Sequence, residues 1–436
     1  MFRTLTLICA AGALALTACS RDRDLPLPGE RLDLREQEQV LTPDEAPSLR
    51  LPALSTVSNW THRNGGAAHY AAHPNLSQNA QLILNADIGK GNQNRERLAA
   101  DPIIGDGRLY TMDTESSVRA YSMAGALLWQ AEVKPLVRTR RGRSNDGSGG
   151  GLAFSGGQLA VTTPGGEVLL LNAATGTVIW RHDAEASFSA PPAFAGDRII
   201  AISGDNRARA LTRSNGRIAW SQDSDDAGTA VLGTAAPAIA GNIAIIPFNR
   251  GEVKAVDINT GIARWSQVLT GKRVGIARGN ISAITTDPVI VGQIVYVGTQ
   301  AGRIAAINLA TGERIWTARE GAVGPIWPAG NALFVLGDEG SVQRLNTSDG
   351  RVVWETPLPQ YRNERRFRGN YGHYGPTLAG GLLYVGGTDG IIRVFRPEDG
   401  TLVRTIEIRG GVSSQAAVVN NRMYLFTGNG QLAAFQ

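Results

Sequence analysis

An all-β propeller is the fold class this sequence predicts, and three observations predict it. Glycine accounts for 53 of 436 residues, a level that costs too much backbone entropy for a mostly helical chain. A unit ending in tryptophan recurs with a period of about 46 residues, the mark of a repeat architecture. The last copy of the unit is truncated, while a surplus strand stands ahead of the first copy. With 42% apolar and 19% charged residues, the chain can bury a core and is not disordered as a whole.

The repeat reads LNAATGTVIW (171–180), LTRSNGRIAW (211–220), VDINTGIARW (256–265), INLATGERIW (307–316) and LNTSDGRVVW (345–354), with a shortened copy AYSMAGALLW (120–129). A degenerate copy, FRPEDGTLVR (395–404), has Arg404 in the tryptophan position. The x-Gly pair supplies positive φ for a tight hairpin turn. Alternation such as Thr177-Val178-Ile179-Trp180 reads as a half-buried strand. Trp129, Trp180, Trp220, Trp265, Trp316 and Trp354 are expected to wedge between neighbouring sheets, each with one N–H for a backbone carbonyl. A single unit cannot bury both its faces, so units must stack, and all-β units of this size stack radially.

Opening strands begin near Asp101-Pro102, Gly151-Leu152, Ala190-Pro191, Ala236-Pro237, Asp287-Pro288, Gly324-Pro325, Gly375-Pro376 and Ser414-Gln415. These define an eight-bladed β-propeller of four-stranded antiparallel blades. The final unit stops before its fourth strand, and residues 80–88 (AQLILNADI) are expected to supply it and close the ring. The alternative is an open solenoid with two caps.

Ahead of the repeats, Arg3 and the apolar run Leu5–Ala18 have the pattern of an export signal, too short to span a bilayer. The run ends in Leu16-Thr17-Ala18-Cys19, which resembles the lipobox of bacterial lipoproteins. That resemblance implies cleavage before Cys19 and its acylation, leaving an outer-membrane lipid anchor; the alternative is an ordinary signal peptide. Ser20 stands where some lipoproteins carry the Asp of inner-membrane retention, so the outer membrane is the expected address. With Cys9 lost and Cys19 capped, thiol chemistry is excluded. Residues 20–50 are rich in charge and proline and read as a tether. The expected organisation is a signal at 1–18, a lipidated Cys and tether at 19–56, and the propeller at 57–436.

The A-x-x-x-T-G-x-x-x-W copies resemble the repeat of quinoprotein (PQQ-type) propellers. Together with the lipobox, the tether and eight units, the chain looks like a member of the BamB family of outer-membrane assembly lipoproteins. Trp60-Thr61-His62-Arg63-Asn64-Gly65-Gly66 is similar to the W-x-x-x-x-G-G opening of such propellers. The resemblance implies a non-enzymatic scaffold on the periplasmic face. Its partners would be a periplasmic domain of the central β-barrel assembly subunit and the other assembly lipoproteins. Enzymes share the repeat, so the alternatives are a quinoprotein-like dehydrogenase and a scaffold for another envelope partner.

The residues favour the scaffold. Quinone–calcium chemistry needs oxygen donors set apart from the repeat, yet Asp257, Asp349 and Asp399 sit at repeat turns. His62, His69 and His73 cluster, but GGAAHYAAHPN is loop-like, so no metal is expected, and no cofactor.

The connectors following each tryptophan strand emerge on one rim and differ in length. Trp316 to Pro325 is 9 residues, whereas Trp265 to Pro288 is 23 and Trp354 to Pro376 is 22. Long insertions gathered on one face of a repeat protein mark a binding face. Theirs are basic: Arg138, Arg140, Arg141 and Arg143; Lys272, Arg273 and Arg278; Arg362, Arg365, Arg366 and Arg368 among Tyr361, Phe367, Tyr371 and Tyr374; and Arg95 with Arg97. The net charge of +5 is compatible with an acidic partner. An exported protein seldom meets nucleic acid, so none is expected; anionic lipid head groups remain an alternative. The family resemblance implies docking through two neighbouring connectors, at positions matching Thr229, Val231 and Leu232, and Ala283 and Thr285. Here Leu232 stands for the family's Arg, and its acidic pair is lost. Val231, Leu232, Arg278, Ile281, Arg138, Arg140, Arg141, Arg365 and Arg366 are the expected partner-binding residues.

Overall fold

The computed structural model describes residues 41, 45–93, 96–134, 149–224, 235–269, 271 and 283–436. Among them the regular structure is strand, apart from short 3-10 turns. Eight four-stranded antiparallel sheets follow one another, the first seven each a simple meander. Blade 1 comprises Ile103–Gly105, Arg108–Met112, Ser117–Ser122 and Leu127–Glu132. Blades 2 to 7 occupy residues 151–183, 193–223, 238–268, 289–318, 327–357 and 373–407. Innermost strands neighbour each other from blade 1 to blade 7 and blade 8 lies against blade 1, while Gly375 N of blade 7 donates to Gln415 Oε1 beside blade 8. Blade 8 takes Ala417–Val419, Arg422–Phe426 and Gln431–Phe435 from the C-terminus, and Leu82–Asp87 from before blade 1. Leu84 pairs with Ala434 and Asp87 with Gln431, so the predicted closing strand completes the ring.

The middle strands carry the core. Val168 to Leu171 are fully buried on both faces, as strands sandwiched between two neighbouring blades must be. Outer strands alternate: Leu127–Glu132 runs exposed, exposed, half-buried, exposed, half-buried, exposed. Every outer strand pair slips register by one residue just before the tryptophan position, as at Ala219 between Ile218 and Trp220. That bulge twists the outer strand.

Each of the six predicted indoles reaches the next blade. Their Nε1 atoms donate to the carbonyls of Ala173, Arg213, Ile258, Leu309, Thr347 and Pro397, at 2.8–3.0 Å. Beneath each ring lies the turn glycine of that next blade. At Gly350 (φ +75°) a Cβ would stand 2.6 Å from the Trp316 ring, and at Gly400 2.5 Å from Trp354. Glycine therefore serves twice here, for the turn conformation and for the close approach. Blade 7 has Arg404 instead, which donates to Gln78 O at 2.7 Å. In blade 8, Leu84 takes the indole position against Gly125.

Residues 57–76 form a plug along the innermost strands of the blades. An innermost strand is a sheet edge whose buried N–H groups need partners. The plug supplies one contact to every blade. Trp60 exchanges two hydrogen bonds with Ile104, and Thr61 O, Ala67 O and Ala68 O accept from the amides of Phe154, Ile239 and Ile290. His62 accepts from Phe194 N, and Ala72 O from the Trp327 indole. Pro74 O and Val57 O accept from Gly380 and Asn420.

Residues 47–50, placed by the sequence reading in the tether, lie against blade 6. Pro47 O accepts from Arg344 at 2.8 Å, Ser48 O from Asn331, and Arg50 N donates to Asn331 Oδ1. Leu41 N donates to Val352 O. Under this strap Val353 is 8% exposed, whereas its counterparts Leu128 and Ile315 are 49% and 50% exposed.

Candidate functional site

Two places on the upper face carry chemistry, the mouth of the channel and the rim. At the mouth, Arg63 rises from the plug between carboxylates of opposite blades. Its Nε is 2.7 Å from Asp101 Oδ2 and its Nη1 3.4 Å from Asp287 Oδ1. Asn64 Nδ2 and Ala236 N donate to Asp287, and Gln415 N donates to Asp101. Burial works against the Arg63 charge, but Asp287 and Asp101 outweigh it and raise its pKa. Burial pushes the Asp101 carboxyl up, with Arg63 opposing. A cavity of about 260 Å³ opens above, lined by Arg63, Asp101, Thr285, Asp287 and Tyr374.

This donor set does not fit a calcium–quinone pair. The two carboxylates that face the mouth already accept from Arg63, Asn64 and two backbone amides. A cation there would meet a guanidinium instead of free oxygens. Among the described residues no group of three His, Cys, Asp or Glu side chains could hold a metal.

The three plug histidines are braces. His62 Nε2 accepts from Phe194 N at 3.1 Å. His69 Nδ1 lies 3.0 Å from Pro288 O. His73 Nδ1 lies 2.8 Å from Pro52 O, and its Nε2 accepts from Gly381 N. Burial, with repulsion from His69, lowers the His62 pKa to about 3, and burial also lowers that of His69. A histidine depressed in the folded state charges more readily when unfolded. Stability is therefore full above about pH 6.5 and drains away as the pH falls toward 3. The protein is expected to lose roughly 3 kcal/mol between about pH 7 and 4 from His62 alone. Urea midpoints at both pH values check this, and His62→Gln, which keeps an acceptor for Phe194 N, should flatten the dependence.

On the rim, the predicted residues Arg138, Arg140, Arg141, Val231, Leu232, Arg278 and Ile281 lie outside the described residues, as do Cys19, Arg143, Thr229, Lys272, Arg273 and Arg95. Ala283 is buried and Thr285 Oγ1 donates to Ala322 O. Arg365 and Arg366 are described. They form, with Glu364, a single 3-10 turn at the tip of a hairpin of Tyr361–Asn363 and Arg368–Asn370. Asn363 Oδ1 caps the turn by accepting from Arg366 N at 3.0 Å.

Sequence reasoning missed the Arg63 network, although Arg63 lies within the quoted W-x-x-x-x-G-G stretch. The carboxylates it meets lie 38 and 224 residues away along the chain, so no local signal marked it.

The family model described as "Outer membrane protein assembly factor BamB" matches residues 114–356 and 338–436. Curated relatives of that description include one from Yersinia pestis, 22% identical over 329 residues, covering 75% of this chain and 81% of the relative. Another, from Shewanella oneidensis, is 23% identical over 336 residues, covering 76% and 83%. Among solved structures, BamB from Moraxella catarrhalis superposes with a TM-score of 0.68 at 19% identity, over 82% of this chain and 99% of that one. A quinohemoprotein alcohol dehydrogenase from Comamonas testosteroni gives 0.65 at 12% identity, over 87% and 81%; at that identity it shows a shared fold alone. All seven repeat copies and most of the eight blades lie within the matched segments, and the chain belongs to the BamB family of outer membrane protein assembly factors.

Proposed function

We propose that this protein is a non-enzymatic, lipid-anchored scaffold of outer-membrane β-barrel assembly on the periplasmic face of the outer membrane. Its rim connectors dock on a periplasmic domain of the central barrel subunit, alongside the other assembly lipoproteins. The family match over residues 114–436 is the observation that carries this reading. The channel mouth supports it, because its carboxylates are spent on Arg63 and are not open to a cofactor. A closed ring stapled by indoles and a plug holds the rim roots in fixed positions, which lowers the ordering cost of docking. A tether raises the effective concentration at the membrane.

Affinity purification of the detergent-solubilised protein tests the scaffold. Co-purification of the barrel subunit is expected. Recovery of a different envelope component in its place would replace this reading with that of a generic envelope scaffold. Acylation at Cys19 supplies the anchor, since chains worth about 0.8 kcal/mol per buried CH₂ hold a protein stably when two or three are present. Cys19→Ala is therefore expected to move the protein from the membrane to the soluble fraction on fractionation. Retention in the membrane would remove the anchor.

A further inference from the structure

The hairpin at the rim and the cavity at its root form a constellation that the family match does not assign. The connector of residues 358–372 leaves blade 6 and enters blade 7. Four guanidiniums, of Arg362, Arg365, Arg366 and Arg368, are exposed on it. Among the described residues none of the four has an acidic partner within ion-pair distance. The single acid of the hairpin, Glu364, accepts from Tyr361 N. Phe367, at the tip, is 71% exposed and in the left-handed region at φ +50°. Its ring stands edge-on to Tyr361 at 5.4 Å. An exposed aromatic ringed by unpaired arginines is the composition of a binding hot spot.

The root of this finger is fixed. Gln360 Nε2 donates to Glu339 O at 2.7 Å, and His373 Nε2 lies 2.8 Å from Pro359 O. Gly372 exchanges hydrogen bonds with Thr388. Between this root and blade 6 lies a cavity of about 270 Å³, walled by Val323, Leu336, Leu358 and Tyr371. Ser341 also lines it, is 3% exposed, and its Oγ has no hydrogen-bond partner. His373, another lining residue, has a buried Nδ1 in the same condition. Burial lowers the His373 pKa, so the ring is neutral at pH 7. Two buried polar atoms without partners cost stability unless a ligand supplies the missing bonds. The volume is below the roughly 300–1,000 Å³ of small-molecule sites, and suits a single side chain.

We propose that the finger and this cavity together dock an extended acidic segment of a partner protein. One tyrosine-sized side chain of that segment enters the cavity, and neighbouring Asp or Glu residues pair with Arg365 and Arg366. The inference rests on the scaffold reading, for which it names a partner chemistry. An anionic bilayer would meet the guanidiniums but leave the cavity empty, so the cavity favours a peptide over a lipid surface.

The test uses the full-length chain, unlipidated through Cys19→Ser, and a fluorescein-labelled peptide alternating Asp and Tyr, followed by anisotropy. Binding is expected, and Arg365→Ala with Arg366→Ala should weaken it at least about tenfold. Phe367→Ala, on an exposed tip that folding does not need, should weaken it as well. Ser341→Val, which removes the unpartnered hydroxyl and narrows the cavity, should weaken the Tyr peptide and leave a peptide with Gly for Tyr unchanged. Absence of binding by the unsubstituted finger, or equal binding by the double arginine variant, overturns the proposal. So does finger-dependent binding of phosphatidylglycerol vesicles with no peptide binding. If the barrel subunit co-purifies while the peptide fails to bind, the finger inference falls and the scaffold stands. If the peptide binds without co-purification, the scaffold falls and the finger stands.

Discussion

Replacing Arg63 with alanine is expected to destabilise the ring by about 3–5 kcal/mol, because two buried carboxylates lose their shared counter-charge. Asp101 and Asp287 come from blades 1 and 5, so the guanidinium ties opposite sides of the ring through the plug. Their remaining partners are neutral amides. Without Arg63, burial acts on the Asp101 carboxyl with only the Gln415 amide opposing it, and its folded pKa rises further. A carboxyl raised in the folded state carries its full penalty above that raised pKa and loses it as the pH falls toward the unfolded value. The gap in urea stability between the protein and Arg63→Ala should therefore narrow on going from about pH 8 to 5. Asp101→Asn with Asp287→Asn should recover much of the loss in the Arg63→Ala background. A gap that is constant across this range would mean that lost packing, and not charge, sets the cost.

Trp354→Ala is expected to cost about 3–5 kcal/mol, the range for a buried large-to-small change. The indole is 7% exposed, bridges blade 6 to blade 7 through Pro397 O at 3.0 Å, and packs beside Phe334 with centroids 6.2 Å apart. Its loss opens a cavity at a joint between sheets, where backbone cannot collapse inward from either side. Gly400→Val attacks the same joint from below, since a Cβ there would stand 2.5 Å from the ring at φ +71°. Arg404→Ala provides the comparison, because that residue holds the equivalent joint by guanidinium–carbonyl bonds to Gln78 O and Ala80 O in place of an indole. It should cost clearly less. Thermal unfolding of the three variants checks the order, and an Arg404→Ala loss equal to that of Trp354→Ala would show that the indoles are not the dominant staple.

Much of the ring was legible because its determinants are local and repeated. The turn x-Gly and the tryptophan four residues on are read within ten residues, and eight openings count the blades. Even the exceptions were legible: Arg404 stands out against six tryptophans, and 80–88 stands out as a strand without a hairpin of its own. The site was less legible. Arg365 and Arg366 declared themselves by composition, but nothing in their neighbourhood announces Ser341 or the cavity beneath the finger. His62, His69 and His73 read as a cluster because they are close in sequence, yet the fold turns each toward a different blade.

By itself, then, the sequence determined the blade, its turns, the indole staples and the closing of the circle, because period and turn chemistry act over a few residues. Tertiary structure alone decided what fills the centre and what covers the side. Arg63 meets Asp287 across 224 residues of chain, and Asn331 meets Ser48 across 283. Such pairs exist only once the ring has closed and brought eight unpaired sheet edges around one channel. Their buried amides then require partners, and residues 57–76, whose sequence shows no strand period, are the segment that provides them.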